Sequence, residues 1–195
     1  MKKENVTPCN FNILVEVTEF PTEEGGVFIG KQQSSQLEQT YYRGTALELG
    51  PRSTDKDQCP ELEKGDFVIF SDLAGYPVAT DESYCKVIRG HDIVALTSDI
   101  ENMNAETLKP TGERILVEVL KEDLMKDGVY DASKGDPRAK ATQLGKVLKC
   151  AENAQQFPEG TIVAFEPYSG NPIHVGDTFY KTINSFDIEF IVSEK

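Results

Sequence analysis

Ile13-Leu14-Val15-Glu16-Val17 decides how this chain is organised, because the same five letters return as Ile115-Leu116-Val117-Glu118-Val119. Gly26-Val27-Phe28 then maps without a gap onto Gly128-Val129-Tyr130. Farther along, Gly65-Asp66-Phe67-Val68-Ile69-Phe70 matches Gly160-Thr161-Ile162-Val163-Ala164-Phe165. That second register continues from Gly75 to Gly170, Pro77 to Pro172, Lys86 to Lys181, Ile88 to Ile183 and Asp92-Ile93 to Asp187-Ile188. Four matching blocks in one order mark an internal duplication. A repeat of about a hundred residues points to two domains rather than a solenoid of short units. Their expected limits are 1–104 and 105–195.

Each half is large enough for a small core and no more. Apolar residues make up only 38% of the 195, with ten Phe, seven Tyr and no Trp, which suits a small barrel better than a large enzyme fold. The formal charge is −13. Up to Ala105 there are 18 acids against 9 bases, a balance of −9; beyond it there are 15 against 11, a balance of −4. With both halves acidic and no basic run, the chain is not expected to bind nucleic acid or an anionic membrane. Cys9, Cys59, Cys85 and Cys150 form no CxxC pair and do not recur between the repeats. They read as reduced thiols rather than a disulfide framework or a zinc site. The first residues lack the apolar core of a signal peptide, and no apolar run reaches spanning length. A cytoplasmic protein is expected.

Along each repeat, short apolar segments alternate with Gly/Pro turns, and no helical period is sustained. In the first, strands are expected at 11–18, 43–49, 67–70, 84–88 and 93–96. Residues 19–42 form a long polar stretch, of the kind that is functional or unstructured. Residues 50–63 make a second polar connection, and 97–111 a polar connector in which a short helical turn could form. The second repeat keeps this plan, with a loop over 122–143 and the second connection cut to 151–157. The fold class expected is all-β, with a small barrel in each repeat.

Several of these blocks resemble the GroES-type co-chaperonins, the ten-kilodalton partners of large chaperonin rings. The opening strand of that family is matched by Leu108-Lys109-Pro110-Thr111-Gly112-Glu113-Arg114-Ile115-Leu116-Val117. Its mobile-loop anchor is matched by Gly25-Gly26-Val27-Phe28-Ile29 and its loop exit by Arg43-Gly44. The Gly-Asp strand corresponds to Lys64-Gly65-Asp66-Phe67-Val68-Ile69-Phe70, and the closing strand to His91-Asp92-Ile93-Val94-Ala95. Two such domains in one chain resemble the double-domain co-chaperonins of chloroplasts, and a bacterial or viral tandem version is equally open, as is an organelle stroma if a transit peptide has been removed.

The resemblance implies two tandem GroES-like small β-barrels, each with a long flexible loop, in a homo-oligomeric cap on the nucleotide-bound state of a chaperonin ring. Val27, Phe28 and Ile29 would be the apolar anchors, and Gly25 and Gly26 would let the backbone approach closely. The second loop keeps Gly128, Val129 and Tyr130 but places Asp131 at the third anchor and Asp127 at the first glycine. Pressing Asp131 onto an apolar groove would strand a charge away from water, so the second loop is expected to bind more weakly.

Adjacent carboxylates such as Glu23-Glu24 and Asp81-Glu82 read as solvated faces. His91 aligns with Phe186, and His174 has no partner histidine in the first repeat. No Ser-His-Asp arrangement, Walker loop or GxGxxG is present. The expectation is therefore no enzyme, no cofactor and no metal. The rival reading is a ring-forming or decorating module, of the kind a virus could use, that keeps the barrel without touching a chaperonin.

Overall fold

The computed structural model describes residues 2, 5–18, 23–24, 27–28, 41–71, 73–81, 83–120, 125–126, 129–130, 142–175 and 178–192. The chain divides into two compact units, Met1–Gly112 and Glu113–Lys195.

The first unit is a seven-stranded antiparallel sheet in the order β6-β7-β1-β4-β5-β8-β9. Its strands are β1 (Asn12–Thr18), β4 (Tyr41–Leu49), β5 (Phe67–Ser71), β6 (Tyr76–Ala79), β7 (Tyr84–Arg89), β8 (Ile93–Thr97) and β9 (Leu108–Pro110). The order forces the sheet to curl. Strands β7 and β8 are separated by three others, which in a flat sheet is about 19 Å at ~4.8 Å per strand. Only the 3-10 turn Gly90–Asp92 joins them, and four residue steps reach no more than about 14 Å. A rolled sheet is the geometry that lets both hold.

Rolling sets the core. Along β1, Ile13, Val15 and Val17 point to one face. They meet Ala46 of β4, Val68 and Phe70 of β5, Ile88 of β7, and Ile93 and Leu96 of β8 in one buried cluster. Leu14, Ile69 and Ala95, on the opposite face, are buried too, which explains why the sequence reads as near-continuous apolar runs. The polar connection 50–63 is less solvated than its composition suggests. Cys59 and Leu62 join the core, and buried Ser53 donates its hydroxyl to the Gly50 carbonyl at 2.8 Å.

The second unit repeats the design in a six-stranded sheet, β15-β16-β10-β13-β14-β17. Here β10 is Arg114–Val119, β13 Gln143–Cys150, β14 Ile162–Phe165, β15 Asn171–Val175, β16 Thr178–Asn184 and β17 Ile188–Val192. Ile115, Val117, Val147, Val163, Phe165 and Ile183 make its core, with Ala154 from a short 3-10 turn filling the place of the longer connection. Even the irregularities are duplicated. Bulges fall between Leu14 and Val15 and between Leu116 and Val117, and again at Ile69/Phe70 and Ala164/Phe165. Left-handed backbone recurs at Asn10 and Gly112, Gly65 and Gly160, and Gly75 and Gly170. Bulges and left-handed residues are specified features of a fold, so their recurrence shows the duplication at the level of backbone.

The fold is therefore all-β, built as two GroES-like β domains. The connector forms no helix. Asp99 accepts from the amides of Glu101 and Asn102, and Asn104 from those of Glu106 and Thr107. These side-chain turns deliver the chain into β9. None of the four cysteines is in a disulfide.

Candidate functional site

Each long loop leaves and re-enters its sheet across a paired root. In the first unit Thr18 at the end of β1 lies opposite Arg43, and Val17 opposite Gly44, on β4. In the second, Val119 lies opposite Gly145, and the Leu120 amide donates to the Leu144 carbonyl at 3.0 Å. The glycines are required there. A Cβ on Gly44 would come within 2.4 Å of Val15 Cγ1 and 2.6 Å of the Glu16 carbonyl oxygen, and one on Gly145 within 2.9 Å of the Phe165 ring.

Between its root strands, each loop carries a minimal hairpin. In the first, β2 (Glu23–Glu24) pairs with β3 (Val27–Phe28), with Glu23 opposite Phe28 and Glu24 opposite Val27. In the second, β11 (Met125–Lys126) pairs with β12 (Val129–Tyr130), with Met125 opposite Tyr130 and Lys126 opposite Val129. Both are separate two-stranded sheets. The intervening residues are Gly25-Gly26 and Asp127-Gly128, sequences favoured in two-residue hairpin turns. Of the expected anchors, Val27 and Phe28 lie on β3, and Val129 and Tyr130 on β12. Gly25, Gly26, Ile29, Gly128 and Asp131 lie outside the described residues, as do the greater part of 19–42 and of 122–143. The sequence reading overlooked Met125. The repeat offset aligns it with Glu23, so it puts a third apolar residue on the second hairpin where the first has an acid.

The roots are pinned by buried and half-buried cations. Tyr42, at the first loop's exit, packs against Phe70 and Tyr84 with centroids 6.1 and 6.5 Å away, and the Lys86 ammonium sits 5.2 Å from the Tyr42 ring centroid. Arg43 donates from Nη1 to the Ile100 carbonyl at 3.1 Å, and its burial lowers its pKa. In the second unit Lys181, at the position of Lys86, donates to Gln143 Oε1 at 3.0 Å and to the carbonyls of Pro167 and Ser169 at 2.6 and 3.3 Å. Its Nζ lies 5.4 Å from the Phe165 ring centroid. Burial pushes the Lys181 pKa down to about 8. The three oxygens that receive it are neutral, so they hold the ammonium without cancelling its charge.

His91 is 3.3 Å from Gln58 Oε1 and 3.5 Å from Asp92 Oδ1, a surface network beside the β7–β8 turn. Among the described residues, no group of three metal-ligating side chains converges, and no helix is long and apolar enough to cross a membrane. What each unit presents is a rolled sheet, a pinned loop root and a short hairpin with an apolar strand.

Comparison with known proteins gives that arrangement a family. The family described as "Chaperonin 10 Kd subunit" matches residues 5–97. The co-chaperonin GroES of Fusobacterium nucleatum subsp. nucleatum is 34% identical over 91 residues, covering 97% of that protein and 44% of this chain. This chain belongs to the chaperonin 10 kDa subunit family. The GroES of Fusobacterium nucleatum subsp. polymorphum is 33% identical over 91 residues with the same coverage. Each relative thus corresponds in length to one repeat of this chain.

Proposed function

We propose that this chain is a co-chaperonin that caps a large, nucleotide-bound chaperonin ring and assists protein folding without itself catalysing a covalent step. Two repeats, residues 1–104 and 105–195, each supply one loop. Val27, Phe28 and Ile29, introduced by Gly25 and Gly26, form the main contact, and Gly128, Val129 and Tyr130 a weaker second one. The observation that carries this reading is the β2–β3 hairpin. It sets Val27 and Phe28 on a two-residue strand paired only with Glu23 and Glu24 among the described residues, apart from the seven-stranded sheet.

The energetics fit a cap that must come off again. Burying three large apolar side chains yields about 1.5–3 kcal/mol each, while ordering the residues around them costs roughly 1–2 kcal/mol per residue. A single loop then binds weakly, and several loops on one assembly bind well through effective concentration.

The test is capture of a purified chaperonin ring with and without nucleotide. The wild-type chain is expected to bind only with nucleotide. Phe28→Asp is expected to abolish capture while leaving the thermal transition unchanged. Undiminished capture by Phe28→Asp would remove Phe28 from the contact. Absence of capture by the wild-type chain in every nucleotide state would favour a ring-building module that does not bind chaperonin.

A further inference from the structure

The ladder that receives each loop also carries a turn at the same end. In the first unit Tyr41, where β4 begins after the loop, lies opposite Ser71 at the end of β5. In the second, Gln143 at the start of β13 lies opposite Phe165 at the end of β14. The chain turns at those points, over 71–74 and 166–169. One amide closes each turn, Ala74 donating to the Ser71 carbonyl and Ser169 to the Glu166 carbonyl, both at 2.9 Å. Gly75 and Gly170, left-handed in both cases, follow.

The third residue of each turn is out of character. Gly, Asn, Asp and Ser are the usual turn residues, yet these two turns hold Leu73 and Tyr168 at that place. They are 79% and 88% exposed, the two most exposed large apolar or aromatic side chains among the described residues. Neither belongs to the core cluster of its unit. Packing within the barrel does not account for them, and each repeat carries one at the same register.

Their backbone is firmly seated. A Cβ on Gly75 would come within 2.0 Å of the Val87 carbonyl oxygen, and one on Gly170 within 2.7 Å of the Thr182 carbonyl oxygen, so the turns lie close against β7 and β16. In the first unit the Leu73 amide also donates to Ser71 Oγ at 3.2 Å. In the second, the Lys181 ammonium donates to the carbonyls on either side of Tyr168, those of Pro167 and Ser169, while holding Gln143 at the loop exit. A turn and a loop exit bonded to one nitrogen are immediate neighbours. A side chain presented from a fixed backbone has less freedom to lose on contact, which suits a binding anchor.

We propose that Leu73 and Tyr168 make a second, preformed contact with the partner that the loops engage, against an apolar surface at the rim of the chaperonin ring. The proposal rests on the co-chaperonin reading. Continuity selects this occupant, because a partner gripped by the loop is brought to the loop exit, where the turn stands. The two contacts do different work. The hairpins are sheets of their own, whereas the turns are built into the barrels, so contact at the turns fixes the angle at which a barrel meets the ring. In the second repeat, where Asp127 and Asp131 oppose docking of the hairpin, Tyr168 is the larger anchor.

Capture on a purified chaperonin ring in the presence of nucleotide tests this. The double variant Leu73→Ser with Tyr168→Ser is expected to weaken capture about tenfold or more, because the loss at each site is multiplied over the copies in an assembly. Its thermal transition is expected to be unchanged, since both positions are exposed. Phe186→Ser is the control. Phe186 is 77% exposed but lies in the 3-10 turn Ser185–Asp187. That turn follows Asn184, which pairs with Arg114 at the start of β10, and the loop leaves from the other end of that strand. Capture by Phe186→Ser is expected to match wild type. A folded double variant captured like wild type overturns the proposal and leaves the co-chaperonin reading standing. An equal loss in Phe186→Ser also overturns it, by making exposure rather than place the cause. Normal capture combined with poorer refolding of an enclosed substrate overturns it in favour of contact with the substrate chain. Absence of capture by the wild-type chain in every nucleotide state overturns both readings together.

Discussion

Lys181 is the residue whose chemistry is most constrained. It is 5% exposed, and its ammonium ties Gln143 at the loop exit to the Pro167 and Ser169 carbonyls of the β14–β15 turn. Lys181→Met keeps the length of the side chain but leaves those acceptors without their donor, and a buried polar group left unsatisfied costs about 1–3 kcal/mol. Thermal or urea denaturation at neutral pH is expected to show a loss of that size. The pKa adds a sign. Unfolded lysine titrates near 10.4, whereas burial lowers Lys181 to about 8. Between those values the unfolded chain holds a proton that the folded chain has shed, so this group makes stability rise with pH across the window and contributes no slope below it. The stability gap between wild type and Lys181→Met is therefore expected to widen in favour of wild type from about pH 8 to about pH 10. A gap that narrows over this range would contradict the assignment.

At the scale of elements, the strands were legible because their apolar letters are dense and recur. Expected strands at 11–18, 43–49, 67–70, 84–88 and 93–96 correspond to β1, β4, β5, β7 and β8. What escaped was set by partners rather than by local composition. Leu108-Lys109-Pro110 resembles the start of the second repeat but lies in the first unit's sheet, a placement that depends on the free edge of β8. Cys59 and Leu62 sit in a run dominated by polar residues, and only the rolled sheet shows that the gap there needs filling. At the candidate site, Val27 and Phe28 could be picked out as apolar residues that follow two glycines, whereas their pairing with Glu23 and Glu24 could not. The repeat comparison also carries a prediction for the second hairpin. Met125, Val129 and Tyr130 give β11 and β12 apolar content, so the two acids around it, Asp127 and Asp131, are what oppose docking on an apolar groove, each through the cost of desolvating a carboxylate. The double variant Asp127→Gly with Asp131→Ile is expected to strengthen nucleotide-dependent chaperonin capture at least tenfold, about 1.4 kcal/mol, measured by titration. Unchanged capture would mean that the second hairpin takes no part in binding even when its charges are removed.

At the scale of the whole molecule, net charge governs how copies approach one another. Every chain carries −13, so copies that approach one another repel at long range. Apolar contacts between copies, by contrast, do not depend on ionic strength to first order. Salt then acts mainly on the repulsion. The screening length falls from about 10 Å at 0.1 M toward 3 Å at 1 M, and like-charged chains gain association as it shrinks. Raising sodium chloride from about 0.05 M to about 0.5 M is expected to shift a dilute sample from smaller to larger species in sedimentation. Opposite behaviour, with salt dissolving the assembly, would mean that ion pairs between copies hold it together. The same samples fix stoichiometry. Each chain contributes two β domains, so a closed set of identical chains contains an even number of them. Native mass spectrometry should accordingly return an integer multiple of 21.6 kDa, with three, four or seven chains each giving a distinct mass.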